Sequence, residues 1–221
     1  DQYLMNGGKT IWLVDQVVAE IDSLYNPSGA SLAYPRDLNI NDLFFKYGIR
    51  INPAIVKDEH GRPIQLASGE PGSATRFQQF NWKYAPLVTP ISTHPIVKNL
   101  GGIKFDFANS IDTLKNSIKK TVLLQSSPYS KRVGTPTAIN LSMVSEITSP
   151  ADYPNTGGIP LAVLLEGSFH SAFENRIKAF EQTNFQSTSK PTKMIVISDG
   201  DILRNQLDKN QLPVELGYDQ R

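Results

Sequence analysis

"SIDTLKNSIKKTVLLQ", residues 110–125, is the stretch on which the reading of the fold turns. Its first part sets Ile111, Leu114 and Ile118 three and then four residues apart, the spacing of one helix face. Its last part, Thr121 to Gln125, is a short aliphatic run of the kind that forms a buried strand. A helix leading directly into a buried strand is the repeating unit of an α/β fold. Three further runs match the strand half of that unit: Thr10 to Val14 (TIWLV), Pro160 to Leu165 (PLAVLL) and Lys193 to Ile197 (KMIVI). Apolar runs without alternation suit a parallel sheet covered on both faces. Helical patterns lie beside them. Residues 40–48 carry Asn39 as N-cap and Gly48 as stop. Residues 171–182 place Phe173, Ile177 and Phe180 together, and residues 200–212 follow the last run. The alternation predicts an α/β fold, a mostly parallel sheet with helices on both faces.

Some stretches depart from that pattern. Residues 49–67 read as two strands about an Asp58-Glu59-His60-Gly61 turn, a β-hairpin insertion. Residues 68–76 form a flexible loop by composition, and residues 76–91 a further extended segment. A Pro/Gly/Thr-rich stretch spans 145–158. No internal repeat and no two-domain boundary is evident. The expectation is one α/β domain over 1–221, decorated by the hairpin and two loops.

Composition narrows the function. Lysine and arginine number 22 against 21 acidic residues, a net charge of +1. That balance supports neither a nucleic-acid surface nor a polybasic membrane patch. Cysteine is absent, which removes disulfides, thiolate metal sites and a cysteine nucleophile. No run approaches the roughly 18 apolar residues of a membrane helix. No signal peptide is visible.

The opening, "DQYLMNGGKTIWLVD" (1–15), contains GGKT, the ending of a phosphate-binding loop. That loop needs a glycine five residues before its Gly-Lys pair, and the position holds Tyr3. It also needs the strand before the glycines, whereas here Ile11 to Val14 follows them. The better reading is a last helical turn at Gln2 to Met5, stopped by Asn6-Gly7-Gly8 and followed by a strand. A chain that starts in mid-helix reads as a piece excised from a longer protein.

In open α/β sheets, ligands sit outside the carboxyl ends of the strands. The four runs lead into Asp15, into Ser126 and Ser127, into Glu166, and into Asp199 and Asp201. These residues form the candidate ligand-binding crevice. Strand ends are also polar simply because the chain turns into water there. Asp199 and Asp201 in "SDGD" have the spacing that opens a calcium loop, but its later glutamate is missing. An acid capping the following helix explains them better. Ser126 or Ser127 with His94 or His170 and Asp199 supplies the residue types of a serine hydrolase, without the Gly-x-Ser-x-Gly elbow. His60 falls in the hairpin turn. No His-x-x-x-His pair suggests a metal site, and no cofactor is implied. Phe77, Phe80, Trp82 and Tyr84 read as a half-buried edge strand in preference to a sugar-stacking surface.

Several phrases, in order, carry a resemblance. They are "YLMNGGKTIWLVD" (3–15), "LNINDLFFKYGIRINPAIVKD" (38–58), "WKYAPLV" (82–88), "HPIVKNL" (94–100), "TVLLQSSPYSK" (121–131), "IPLAVLLEGSF" (159–169) and "MIVISDGDILRN" (194–205). The set resembles the extracytoplasmic region of the gliding-motility ABC transporter component GldG and its relatives, common in the Bacteroidetes. The resemblance implies an auxiliary or substrate-binding subunit, non-enzymatic, that works with a separate ATPase and a membrane permease on an unidentified substrate. It implies a periplasmic module anchored to the inner membrane, with membrane contact only through segments outside residues 1–221. It also implies a flavodoxin-like fold similar to class I glutamine amidotransferases, whose activity needs the cysteine this chain lacks. Two other functions stay open at this point: a serine hydrolase or carbohydrate-active enzyme, and a ligand-free scaffold for protein contacts.

Overall fold

The computed structural model describes residues 1–68, 76–177, 184–205, 207–208, 210 and 212–215. Strands take 42% of it and helices 13%. The elements, in chain order, are α1 (Gln2–Met5), β1 (Thr10–Leu13), β2 (Val17–Val18), β3 (Ala30–Pro35), α2 (Asn41–Tyr47), β4 (Ile49–Asp58), β5 (Gly61–Ser68) and β6 (Arg76–Val88). They continue with β7 (Ile103–Lys104), β8 (Asn109–Thr113), β9 (Lys119–Gln125), β10 (Ser130–Gly134), β11 (Thr137–Asn140), β12 (Pro160–Gly167) and β13 (Thr192–Ile197). Short 3₁₀ turns occupy Ile21–Leu24, Leu141–Ser145, Pro150–Asp152 and Asp201–Leu203.

The four apolar runs do form one sheet, in the order β1-β13-β12-β9. Its directions are mixed. β1 runs parallel to β13, whereas β12 is antiparallel to both β13 and β9. Three smaller sheets, β10-β4-β8, β11-β3-β2 and β5-β6-β7, are antiparallel throughout. This overturns the mostly parallel α/β expectation and, with it, the flavodoxin-like and amidotransferase-like architecture. The reason is physical. A continuous apolar run reports that both faces of a strand are covered, and says nothing of strand direction. Along β13, Met194 and Val196 enter one buried cluster while Ile195 and Ile197 pack on another. The first cluster is closed by Phe44 and Tyr47 of α2, Leu4 and Met5 of α1, and Ile49, Ile51 and Ile111 of β4 and β8. The second is closed by Val56, Val88, Val97 and Phe105. Strands and loops do most of the covering that helices do in a doubly wound fold.

The opening stretch shows how the error arises. Residues 110–120 are not a helix. Asn109–Thr113 is β8, paired antiparallel with β4 through Ile51–Ile111, Arg50–Asp112 and Ile49–Thr113. Ser110, Asp112 and Thr113 are poor helix formers. At the turn that follows, Asn116 Oδ1 accepts from Ile118 N at 3.1 Å and Leu114 N donates to Gly48 O at 2.9 Å. Ile111 and Ile118 are buried as expected, but Ile111 as a strand residue and Ile118 in the turn just before β9. α1 and α2 form as expected, and Gly48 ends α2 at φ +92°, a conformation glycine takes without steric penalty. The cap of α2 is Ile40, not Asn39, which itself lies at φ +53°. The expected helix at 200–212 shortens to the turn Asp201–Leu203 among the described residues. Over 171–177 there are turns in place of helix, and 178–182 lie outside the described residues.

The expected hairpin is also corrected. Both strands exist, but β4 pairs with β8 and β10, while β5 pairs with β6 from Arg62–Trp82 to Ser68–Arg76. The Asp58–Gly61 corner therefore passes the chain from one sheet to another. Pro53, which has no N–H to donate, lies where the β4–β8 register shifts, between Ile51 and Ile55. Trp82 and Tyr84 of β6 are fully buried with Phe107, so this strand contributes to the core, while Phe77 is exposed.

Candidate functional site

Mixed sheet directions sort the strand ends. Because β12 is antiparallel to both its neighbours, β1, β13 and β9 all run the same way. Asp15, Asp199, Asp201, Ser126 and Ser127 thus emerge at one edge, and Glu166 at the opposite edge. There Glu166 pairs with Lys193 at 2.8 Å and Lys119 at 3.6 Å, and the Lys193 bond holds its carboxyl below the usual range. The structure separates Glu166 from the other candidates.

The aspartates form a connected group. Asp199 is 0% exposed. Its Oδ2 accepts from Asp106 N at 2.7 Å and its Oδ1 from Asp201 N at 2.8 Å. Asp15 Oδ1 accepts from Gly200 N at 2.7 Å. A side chain at position 200 would meet Asp15 Oδ2 at 2.5 Å, so glycine is what lets this carboxylate lie against the turn. Burial pushes the Asp199 carboxyl up to about 8, helped by the like charges of Asp15 and Asp106 and opposed by its two N–H donors. Burial also raises Asp15, against the Gly200 N–H and Arg36 and together with Asp201 and Glu20. Perturbed carboxyls gathered at a strand edge are a mark of functional sites.

The two serines are engaged elsewhere. Ser126 Oγ lies 2.6 Å from Ser130 Oγ and accepts from Ile159 N at 2.8 Å. Ser127 Oγ donates to Asp58 Oδ1 at 2.6 Å, and Ser127 N to Asp58 Oδ2 at 2.7 Å. Neither hydroxyl is hydrogen-bonded to a histidine. His94 Nδ1 accepts from Ile96 N at 3.3 Å and His170 Nδ1 contacts Thr188 Oγ1 at 3.2 Å.

Next to the aspartate group opens a cleft of about 560 Å³. Its lining comes from three parts of the chain: Arg62 of β5 with Lys104 of β7, Asp106 and Phe107; Asp201, Arg204, Asn205 and Leu207; and Glu20, Ile21 and Asp22. Asp106 pairs with Lys104 at 3.0 Å and with the buried Arg62 at 3.4 Å. Arg204 faces Asp22, Glu20 and Asp201 at the longer distances of 3.7, 3.9 and 3.9 Å. The cleft offers charge-assisted hydrogen bonding of both signs. No serine, threonine or histidine is among its described lining residues. Among the described residues no group of three or more His, Asp or Glu is placed to hold a metal ion.

Of the residues expected from the sequence, Asp201 lines the cleft and Asp15 and Asp199 bond the backbone of the same turn, whereas Arg62, Lys104, Asp106 and Arg204 were not among them. A signal for two of them was present. In "IKFDF" (103–107) the charges Lys104 and Asp106 alternate with Ile103, Phe105 and Phe107, the pattern of a half-buried strand with one charged face. Arg62 has no local signal, since β5 reaches the cleft only through long-range pairing.

No curated protein and no solved structure matches the chain. A family model described as "ABC-type uncharacterized transport system" matches residues 1–221, its whole length. The chain belongs to this family, as an auxiliary component of an ABC-type transport system.

Proposed function

We propose that the protein is a non-catalytic, substrate-binding or partner-binding module that works beside the ATPase and permease subunits of its transport system. The observation that carries the proposal is the charged cleft at the edge where β1 and β13 end, backed by Asp15 and Asp199. In this reading the cleft receives a polar ligand or a charged segment of a partner. The failed phosphate loop at Tyr3 to Thr10 fits a division of labour in which another chain hydrolyses nucleotide. The phrase order that resembles GldG supports an extracytoplasmic position and a link to gliding-type systems. No helix among the described residues is long and apolar enough to cross a membrane.

A scaffold role without ligand is the second reading, in which exposed apolar side chains such as Ile147 (97%) and Ile91 (74%) would be covered by a partner. Co-purification of the tagged full-length protein from its native membranes tests the proposal. Recovery of an ATPase and a permease with it is the expected result. Recovery alone, or with cell-wall enzymes, refutes it. Replacing Asp106 by Ala separates the two readings: loss of a co-purifying ligand with the subunits retained favours binding in the cleft, and retention of everything favours the scaffold.

A further inference from the structure

Two groups of charges line the cleft, and they differ in sign. In one, the cations Lys104 and Arg62 meet at Asp106, at 3.0 and 3.4 Å. In the other, the carboxylates of Glu20, Asp22 and Asp201 stand around the guanidinium of Arg204, at 3.9, 3.7 and 3.9 Å. We infer that the cleft binds a small zwitterion, an amino acid or a short peptide, whose ammonium lies among Glu20, Asp22 and Asp201 and whose carboxylate meets Lys104. This rests on the cleft being the functional site, and it names the class of the ligand.

Unspent hydrogen bonds set the polarity of the ligand. The separations around Arg204 are too long for hydrogen bonds, so it lends the three acids charge and little else. Among the described residues no hydrogen bond reaches a side-chain oxygen of Glu20, Asp22 or Asp201; their bonds use the backbone, as from Ser23 Oγ to Glu20 O and from Asp201 N to Asp199. An ammonium carries three donors and no acceptor, which suits a place where carboxylates outnumber the cation. Glu20, Asp22 and Arg204 are each at least half exposed, so a ligand reaches them from solvent. Lys104 is the opposite pole. Its own ammonium has three donors, and Asp106 is the carboxylate it pairs with among the described residues. Arg62 is buried beside Asp106, so the anionic end of the ligand meets Lys104 and gains a charge-assisted hydrogen bond there. A phosphate dianion calls for several donors at once, and outside the acidic group Lys104 is the accessible cation of the lining. A carboxylate is the better match. The volume of about 560 Å³ falls within the range of small-ligand sites. Ile21, Phe107 and Leu207 also line the cleft and offer the body of the ligand an apolar surface.

The test is an NMR titration of residues 1–221 with trialanine near neutral pH, read at the backbone amides of Glu20, Asp22, Lys104 and Asp201. Saturable shifts are expected at all of them. N-acetyl-trialanine lacks the ammonium and trialanine amide lacks the carboxylate. Each is expected to bind about tenfold or more weakly than trialanine, the scale of a charge-assisted hydrogen bond. In Asp22→Asn the preference for trialanine over its acetylated form is expected to shrink, with the preference over the amide kept. In Lys104→Met the opposite pattern is expected. Should either variant fail to fold, the comparison of the peptides on the unaltered protein decides. Alanine binding as tightly as trialanine assigns the site to amino acids, and weaker binding of alanine assigns it to peptides; both support the zwitterion. Equal affinity for trialanine and its two blocked forms, the absence of saturable shifts, or tighter binding of O-phosphoethanolamine than of trialanine overturns it. None of these outcomes bears on whether transporter subunits co-purify, so failure here is distinguishable from failure of the proposed function.

Discussion

Two buried charged clusters in this protein solve the same problem in opposite ways. Lys57 and Lys83, on β4 and β6, are 4% and 6% exposed. Each has a carboxylate: Lys57 bonds Glu146, and Lys83 bonds Glu59 at 3.0 Å, Thr148 Oγ1 at 2.8 Å and the Glu146 carbonyl at 2.9 Å. Tyr153 completes the set by donating to Glu59. Asp199 has no such cation and Asp15 only the charge of Arg36; both are held by backbone N–H groups, and Asp199 faces the like charges of Asp15 and Asp106. The balanced cluster fastens the 141–153 segment onto the sheets. The unbalanced one stores repulsion at the rim of the cleft. Buried charge with partners reads as construction, and buried like charge reads as a site.

That contrast can be broken experimentally. The largest effect is expected from Lys83→Met, which strips three oxygens of their cation. It should destabilise the fold by about 3 kcal/mol in urea unfolding, the scale for breaking a buried pair. A loss near zero would make the network as dispensable as a surface ion pair. Next is Asp15→Asn, expected to lower the Asp199 titration midpoint by about one unit, equivalent to about 1.4 kcal/mol, read by carboxyl NMR. No movement would show that the two acids do not interact. Smaller still is Glu146→Gln. The Lys57 bond lowers the Glu146 carboxyl below its usual 4.5, so its contribution is present above that value and lost as pH falls through the lowered one. The substitution should flatten the acid-side loss of stability, at a cost under about 1 kcal/mol near neutrality because Glu146 is largely solvated. The smallest effect belongs to Glu166→Gln at the far edge, expected to stay within about 0.5 kcal/mol and to leave any cleft binding unchanged. A change in binding would return Glu166 to the site.

The sequence was legible where one residue type has one cause. Gly48 after an apolar helical turn marked the end of α2, and four aliphatic runs marked the four strands of the central sheet. It misled where a pattern has two causes. Ile111, Leu114 and Ile118 fit a helix face, yet a strand holding Ile111 and the turn after it holding Leu114 and Ile118 accommodate the same residues. Strand direction was not legible, because it is set by pairings such as Val163–Val196 that join distant segments. The site followed the same rule. Asp15 and Asp199 were visible as the ends of strands, whereas Asp106 joined them only through its N–H bond to Asp199, 93 residues away.

The most direct measurement is the pH dependence of folding stability for the unaltered protein and for Asp199→Asn, side by side. With its carboxyl raised from 3.8 to about 8, folded Asp199 keeps a proton that the unfolded chain has shed. Its contribution is therefore complete below the unfolded value and is lost progressively as pH rises through the folded one. The unaltered protein should lose stability relative to Asp199→Asn steadily from about pH 4 to about pH 8, and no further above that. Parallel profiles for the two proteins would contradict the account, because they would mean that Asp199 is already ionised and compensated, and that the edge of the sheet stores no repulsion at all.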